Sequence, residues 1–385
     1  MIIVFVSLEP WDEIWRRNQF LCDGLLRRSK ATQILFVQPP YDNSYAARSR
    51  NFGKIQLSAS LVSGGYEDRL QLFSPTKWYP NSLPLGRKLN EIALIKQVKG
   101  ALATLGWSAT RLWINQHEAA SLMDAEIAAK SIYDITDDWT KFSGNQTQLA
   151  LVKKQDCKLC VESSKVIVCS EQLFEDKRNV VQLSRLHIIP NGVHVEHYQA
   201  VSDSTKPVHP LSQSWKKPVF GYTGTIHGDR VDVKLIGRIA QANPQATIAM
   251  VGPNLLEQDD RLTLSKYSNI VFTGAKPYVE LPDIMRAFDV CIVPHVVTLF
   301  TESLNPIKLW EYLAAGKPIV STNVAGFRDF PELVNVSDSY DSFLMNLDGA
   351  LKEEPSFASA RQAVAHQHSW DKRIDQVVQI LGVDA

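Results

Sequence analysis

The sequence lacks long apolar runs and has no net charge. Its N-terminal apolar run covers only residues 2–6, whereas a signal peptide needs about 7–15 apolar residues and a membrane-spanning helix about 20. We therefore expect no targeting signal and no spanning helix. The 41 Lys and Arg balance 41 Asp and Glu, which excludes a uniformly basic nucleic-acid-binding protein. With 45% hydrophobic residues, the chain is also neither disordered nor collagen-like.

Cysteine is scarce, and its five positions are scattered: Cys22, Cys157, Cys160, Cys169 and Cys291. An odd, scattered set fits a reducing cytosol better than a disulfide framework. Cys157 and Cys160 form a C-x-x-C pair, but no second pair or histidine follows at a zinc-like spacing. The pair lies in a stretch with helical character, where positions i and i+3 simply share a face. A redox or metal role is the alternative.

Short, nearly continuous apolar runs recur along the chain and alternate with helical stretches. Such runs indicate strands that are covered on both faces of a parallel sheet. The predicted strands are residues 2–6, 34–38, 111–115, 131–135, 166–170, 187–190, 218–222, 246–251, 269–272, 290–294 and 318–322. The sequence therefore predicts an α/β fold with two doubly wound, Rossmann-like domains.

Residues 199–217 interrupt this alternation, because they are rich in Ser, Pro and Lys and show no periodicity. We predict an N-terminal domain over residues 1–198, a linker over 199–217 and a C-terminal domain over 218–365. Residues 366–385 are predicted to form a final helix. The neutral total hides an asymmetry: residues 1–200 carry 24 basic and 20 acidic residues, and residues 201–385 carry 17 and 21. The excess of basic residues therefore lies in the N-terminal half.

Residues 303–322 carry the most informative pattern. Asn305 and Pro306 suit the start of a helix, and Gly316 suits its end. Free amides at such a start bind anions. Lys308 and Glu311 share one helix face, so a cation for a diphosphate would lie beside a carboxylate for ribose hydroxyls. A surface ion pair is the alternative interpretation.

Residues 311–320, EYLAAGKPIV, resemble the donor-binding signature of retaining family 4 glycosyltransferases, which have the GT-B fold. Residues 305–308 resemble a subgroup with the pattern N-P-x-K-x-x-E-Y-L-A-A-G-K-P. The first glutamate of the signature falls on Ser303, and Glu302 is one residue out of register. The resemblance implies two domains that face a central cleft, a C-terminal helix that crosses back to the first domain, and catalysis without a metal.

Other segments extend the resemblance over most of the chain. Residues 220–226, FGYTGTI, resemble the opening strand and glycine turn of the C-terminal domain, with Gly224 and Thr225 near the diphosphate; a plain tight turn is the alternative. Arg230 is the candidate for the basic residue that follows this turn, unless it is simply solvated. By the same resemblance, Tyr278, Pro294 and Ser303 lie on the sugar or base side of the donor.

Residues 189–194, IPNGVH, and Trp370 complete the resemblance, the first to a hinge strand and the second to the start of the last helix. In the first half, the subgroup resemblance puts Trp11 and Arg16 on the acceptor side. An amphipathic helix start with Trp15 in the core is the alternative.

His117 follows a predicted strand, and strand ends in this fold point into the binding crevice. The resemblance makes it the residue that orients the attacking hydroxyl; a helix cap is the alternative. Asp137 and Asp138 follow the next strand and are expected to bind acceptor hydroxyls, unless Asp138 caps a helix. No D-x-D motif occurs in the chain, so we expect no metal.

Residues 85–102 predict an amphipathic helix on which Lys88, Lys96 and Lys99 fall within an arc of roughly 80°. This face is expected to contact an anionic membrane, although an ordinary solvated lysine face is the alternative.

The resulting hypothesis is a cytoplasmic glycosyltransferase, with the inner face of the membrane as a second location. It moves a hexose from a nucleotide sugar to a glycan or lipid-linked acceptor, with retention, in polysaccharide or glycolipid biosynthesis. No cofactor and no nucleic-acid partner are expected. A nucleotide-sugar 2-epimerase and a non-catalytic partner of another transferase remain alternatives. A nicotinamide-dependent oxidoreductase is disfavoured because no G-x-G-x-x-G follows an early strand.

Overall fold

The structure, a computed structural model, describes residues 1–141, 145–203 and 205–382. Contacts divide the chain into two units. The first contains residues 1–12, 17–190 and 374–385, and the second contains residues 13–16 and 191–373. The predicted boundaries lie at residues 198 and 366. Two predicted segments lie partly outside the described residues: the linker at Ser204 and the last helix at residues 383–385. Within the predicted linker, 3-10 helices occupy Ala200–Ser202 and Pro210–Ser212.

The first unit is built on a mainly parallel sheet. Its strands are β1 Ile2–Val6, β2 Gln33–Val37, β3 Tyr41–Asp42, β4 Ser60–Ser63, β5 Leu70–Ser74, β6 Thr76–Lys77, β7 Arg111–Ile114, β8 Lys130–Ile135, β9 Lys165–Val168 and β10 Leu186–Ile188. The large sheet has the order β10-β9-β8-β7-β1-β2-β5-β4, in which only the β4–β5 pair is antiparallel, and β3 pairs with β6 separately.

Helices cover this sheet. They are α1 Arg17–Arg28, α2 Asn43–Arg48, α3 Pro84–Leu105, α4 Gln146–Glu162 and α5 Glu171–Lys177, with 3-10 helices at Phe52–Lys54, His117–Ala125, Trp139–Lys141 and Leu183–Arg185. Helix α3 begins at a proline and ends at Gly106, whose positive φ of 64° closes the helix. Aliphatic side chains from β1, β2 and β7, such as Val4, Leu35 and Leu112, form the core.

The second unit repeats the architecture with six parallel strands. They are β11 Val219–Thr223, β12 Thr247–Val251, β13 Ile270–Phe272, β14 Val290–Val293, β15 Ile319–Thr322 and β16 Asn335–Ser337. Its helices are α6 Val195–Gln199, α7 Val233–Ala242, α8 Gln258–Leu264, α9 Leu281–Met285, α10 Ile307–Ala315, α11 Tyr340–Ala350 and α12 Ser356–Gln367, with 3-10 helices at Tyr278–Glu280, Thr301–Ser303 and Phe327–Asp329. Helix α13, Trp370–Leu381, starts in this unit and ends in the first.

The strand order of the second sheet is β13-β12-β11-β14-β15-β16, the doubly wound order that reverses between β11 and β14. The predicted parallel α/β fold is confirmed, and the predicted apolar runs lie on strands. Strands β3, β4, β5, β6 and β16 were not predicted. No helix in the described ranges is long and apolar enough to cross a membrane.

Candidate functional site

The point where the second sheet reverses its order positions the candidate site. Ligands of open α/β sheets bind outside the carboxyl ends of the strands at such a switch point. Here β11 ends at Thr223 and β14 ends at Val293. Gly224, Thr225, Pro294 and His295 therefore lie at this edge.

A close backbone crossing shapes the turn after β11. Gly224 has a φ of +130° and Gly252 a φ of +143°, both in the region that favours glycine. A Cβ on Gly252 would lie 2.2 Å from the carbonyl oxygen of Gly224. The Gly224 amide in turn donates to the Val251 carbonyl at 2.9 Å. Only glycine at position 252 permits this crossing.

We expect Gly252→Ala to lower the free energy of unfolding by about 2 kcal/mol or more, because a Cβ would clash with backbone and the φ would be strained. Urea unfolding measures the change. Gly100→Ala in α3 is the control: its Cβ would meet no atom within 4 Å, so it should add about 0.5–1 kcal/mol. Wild-type stability of the Gly252 variant would contradict the crossing.

Lys308 brings a positive charge to this turn. It lies in the first turn of α10, and its Nζ would be 3.1 Å from a Cβ placed on Gly224. The same Nζ donates to the Tyr222 hydroxyl at 2.9 Å and lies 4.5 Å from the centre of the Tyr222 ring. An ammonium group, the amino end of a helix and a glycine turn together favour an anion.

His295 contacts the hydroxyl group of Tyr222. Its Nε2 lies 3.2 Å from the Tyr222 hydroxyl, and the residue is 5% exposed. Burial lowers the pKa of His295 well below its usual range, and the charges of Lys308 and Arg230 lower it further. The imidazole is therefore neutral at pH 7. The Arg230 guanidinium lies 5.7 Å from the centre of the Phe300 ring.

Glu311 lies on α10, one helical turn after Lys308. The residue is 9% exposed, and the Tyr198 hydroxyl donates to its Oε1 at 2.8 Å. Burial raises the pKa of Glu311 above its usual value, although the Tyr198 hydrogen bond and the Lys308 charge oppose the rise. Within the described residues, Tyr198 is the only hydrogen-bond donor to this carboxylate. Lone pairs on Oε2 therefore remain for a ligand.

Asn305 has a different contact from the one predicted for its helix start. Its Oδ1 accepts from the Asn191 amide at 2.8 Å and from Trp310 Nε1 at 3.3 Å. The side chain thus ties residue 191 to the beginning of α10. Because its side chain is engaged in this way, the diphosphate contact of Asn305 stays a prediction for its backbone amide.

Ser303 is fully buried, and its hydroxyl donates to the Phe300 carbonyl at 2.8 Å. Glu302, the neighbouring acid, forms an ion pair with Arg328. Neither side chain offers a free acid where the family signature has its first glutamate. The contact of Ser303 with a donor sugar stays a prediction.

Tyr278 belongs to an aromatic cluster in the second unit. Its ring stacks on His197 with a centroid distance of 4.2 Å and on Trp15 at 5.9 Å. Its amide donates to the Glu13 carbonyl at 2.8 Å. Arg16, predicted on the acceptor side, belongs to the same contact unit and donates to the Ile14 carbonyl.

In the first unit, the corresponding strand ends carry a buried polar network. Asn18 donates to Ser7 Oγ at 2.8 Å and to Asn115 Oδ1 at 2.7 Å. Arg17 forms two hydrogen bonds, of 3.0 and 3.1 Å, with the buried Asp134. These residues could not be identified from the sequence, because an isolated polar residue gives no sign of the partner it will meet in the fold.

His117 is the first residue of the 3-10 helix that follows β7, and its ring centre lies 6.4 Å from that of Trp139. Burial lowers the pKa of His117, although Glu118 and Asp156 oppose this, so the ring is neutral near pH 7. Asp138 accepts from the Thr140 amide at 3.1 Å, as the helix-capping alternative predicts. Asp137 lies beside it, and Trp11 packs edge-on against Phe36.

A cavity of about 150 Å³ lies next to the His117 helix in the first unit. Its lining combines apolar side chains with amides and charges. The polar groups include Lys77, Asn81, Arg87, Gln116 and Glu118. Such a mixture can bind a small polar molecule through hydrogen bonds and apolar contacts.

Comparisons with known proteins agree with this architecture. Residues 217–350 match the family described as Glycosyl transferases group 1. A Bacillus subtilis glycosyltransferase, whose name assigns it to teichuronic acid biosynthesis, is 25% identical over 268 residues; the match covers 66% of each chain. The present chain thus spans just under two thirds of that relative.

Solved structures match over nearly the whole chain. Sucrose-phosphate synthase from Thermosynechococcus elongatus has a TM-score of 0.71 at 15% identity, covering 99% of this chain and 98% of its own. HepE from Anabaena, in complex with UDP-glucose, has a TM-score of 0.67 at 17% identity and 99% coverage of both chains. The chain has the GT-B fold, and its C-terminal region resembles group 1 glycosyltransferases in sequence.

Proposed function

We propose that the chain is a glycosyltransferase that moves a hexosyl group from a nucleoside-diphosphate sugar to a hydroxyl of a glycan or lipid-linked glycan. The observation that carries the proposal is the position of Lys308 against Gly224 at the β11–β14 switch point. We further propose family 4 membership, retention of configuration, catalysis without a metal, and a cytoplasmic role in polysaccharide biosynthesis. The teichuronic acid name of the Bacillus subtilis relative favours this pathway class.

In the proposed donor complex, the diphosphate lies against Gly224, and the amide of Thr225 and the charges of Lys308 and Arg230 hold it. The group 1 match over residues 217–350 and the UDP-glucose complex of HepE support a nucleotide sugar here. Glu311 accepts hydrogen bonds from the ribose hydroxyls through Oε2. The backbone of Asn305 adds to the anion site, while Ser303, Tyr278 and Pro294 face the sugar or base.

The proposed reaction breaks the bond between the anomeric carbon and the diphosphate oxygen, and the diphosphate leaves with the electron pair. The acceptor oxygen bonds to the anomeric carbon, and its proton passes to the released diphosphate. Lys308 stabilises the charge that develops on the leaving group. Neutral His117 orients the acceptor hydroxyl, because a neutral imidazole can accept a hydrogen bond. Trp11, Arg16, Asp137 and Asp138 contact the acceptor.

Incubation with UDP-, GDP-, ADP- and dTDP-sugars, without acceptor, tests the proposal. A transferase should hydrolyse its own donor slowly and release the free sugar with the nucleoside diphosphate. Interconversion of two nucleotide sugars would instead identify the 2-epimerase. Inertness toward every donor, with and without glycan acceptors, would overturn catalysis and favour a non-catalytic partner.

A further inference from the structure

Large apolar side chains are exposed with unusual density in one part of the first unit. Exposed apolar patches on a protein surface mark binding sites. Between residues 45 and 92, the exposed ones are Tyr45, Phe52, Leu57, Val62, Trp78, Tyr79, Leu83, Leu85, Leu89 and Ile92. Three of them, Leu85, Leu89 and Ile92, lie on α3.

One face of α3 is exposed along its whole length. At 3.6 residues per turn, its exposed leucines, isoleucine and lysines fall within an arc of roughly 100°. Along this arc, Leu85, Leu89 and Ile92 occupy the first turns, and Lys88, Lys96 and Lys99 continue it. The opposite side of the helix is buried through Val98, Ala101 and Leu102. The lysine face predicted from the sequence therefore carries leucine and isoleucine as well.

The neighbouring segments contact the first half of α3. The Asn90 side chain accepts from the Trp78 and Tyr79 amides and donates to the Tyr79 carbonyl, which fixes both aromatic residues to α3. The pairing of β3 with β6 places the start of α2 beside the same segment. We call this surface the α3 face. It comprises Leu85, Leu89 and Ile92 with Lys88, Lys96 and Lys99, and the exposed Trp78 and Tyr79 belong to the segment that precedes the helix.

The α3 face is basic as well as apolar. Residues 45–99 contain nine Lys and Arg against three Asp and Glu. No acidic residue falls on the exposed arc of α3. Apolar and aromatic side chains surrounded by basic ones are typical of surfaces that lie in the interface of a membrane. Each basic residue near an anionic surface contributes about 1 kcal/mol.

We propose that the α3 face docks on an anionic lipid bilayer. Leu85, Leu89 and Ile92 enter the acyl boundary, while Trp78 and Tyr79 lie at the level of the headgroups. The lysines bind the lipid phosphates. Arg87 and Asn90, which line the 150 Å³ cavity, lie on the other side of the same helix. This proposal rests on the proposed function, because the purpose of docking is to bring the cavity close to a lipid-linked acceptor.

Sedimentation with vesicles tests the inference. We expect the full chain to bind vesicles of phosphatidylglycerol and phosphatidylcholine at low salt, and to bind pure phosphatidylcholine at least tenfold more weakly. Replacing Lys88, Lys96 and Lys99 by alanine should weaken binding on the order of a hundredfold, about fivefold for each lysine. Leu85→Glu with Leu89→Glu should abolish it. Lys153→Ala with Lys154→Ala on α4, and Leu262→Glu on α8, are matched exposed controls that should bind like wild type.

Failure of the wild type to bind anionic vesicles, or equal loss in the control variants, would overturn the inference. Self-association that the α3 variants abolish, without vesicle binding, would identify the face as a protein interface and also overturn it. Donor hydrolysis by the same preparations is measured without lipid. A wild type that hydrolyses its donor but does not bind vesicles therefore contradicts only the membrane inference, and a wild type that binds vesicles but does not hydrolyse any donor contradicts only the proposed function. Unchanged thermal unfolding of the variants excludes misfolding.

Discussion

Replacing Lys308 with alanine is expected to lower kcat/KM for the donor sugar by about 10²- to 10³-fold, the cost of removing one group that stabilises developing charge. The ammonium group is the charge nearest the Gly224 turn, and the neutral His295 behind Tyr222 cannot replace it. Initial rates at several donor concentrations measure the loss. Binding of inorganic pyrophosphate should weaken together with binding of the nucleoside diphosphate, because both carry the phosphate charges that Lys308 is proposed to contact.

Two further variants make the Lys308 result specific. Lys234→Ala removes an exposed lysine of the same unit and should retain wild-type kinetics. Lys308→Arg keeps the charge and should recover part of the activity, although its planar fork does not reproduce the Lys–Tyr222 contact. Wild-type donor kinetics in a folded Lys308→Ala protein would place the diphosphate elsewhere.

Replacing Glu311 with glutamine is expected to weaken nucleoside diphosphate binding by about 10- to 100-fold, since hydrogen bonds to a charged group contribute about 1.5–3 kcal/mol. Glutamine preserves the volume, and its carbonyl oxygen can still accept from Tyr198. Glu311→Ala should in addition lower the free energy of unfolding by about 1–3 kcal/mol, because it leaves the buried Tyr198 hydroxyl without its acceptor. Calorimetric titration measures the affinity, and urea unfolding measures the stability.

Pyrophosphate separates the role of Glu311 from that of Lys308. It has no ribose, so Glu311→Gln should leave pyrophosphate binding unchanged while nucleoside diphosphate binding falls. Glu332→Gln, at an exposed acid of the same unit, is the matched control and should change neither. Equal weakening of both ligands in Glu311→Gln would contradict the ribose contact.

Most of the fold could be predicted from the sequence, because strands buried on both faces leave continuous apolar runs. Val290–Val293 and Ile319–Thr322 are examples, and Gly316 ends α10 with a φ of +68° at the predicted position. Strand β4 escaped prediction because it is an edge strand whose serines are exposed, so it has no apolar run. The polar network of Asn18, Ser7 and Asn115 depends on sheet order, which local patterns do not encode.

Part of the candidate site could also be predicted, since Lys308 and Glu311 share a helix face by spacing alone. Their partners could not. Tyr198 reaches Glu311 across 113 positions in the sequence, and Asn191 reaches Asn305 across 114. The close approach of Gly252 to Gly224 could not be predicted either, because a glycine after a strand does not indicate which part of the backbone will approach it. These are tertiary contacts, which only the assembled sheet brings together.

Thermal and urea unfolding with UDP, GDP, ADP and dTDP test most directly whether the Gly224–Lys308 site binds a nucleoside diphosphate. A ligand that binds only the folded chain at a concentration 100 times its Kd should raise the free energy of unfolding by about 2.7 kcal/mol. We predict that at least one of the four produces this rise in the wild type and that Lys308→Ala greatly reduces it. No rise with any of them, or the same rise in the Lys308 variant, would contradict the account.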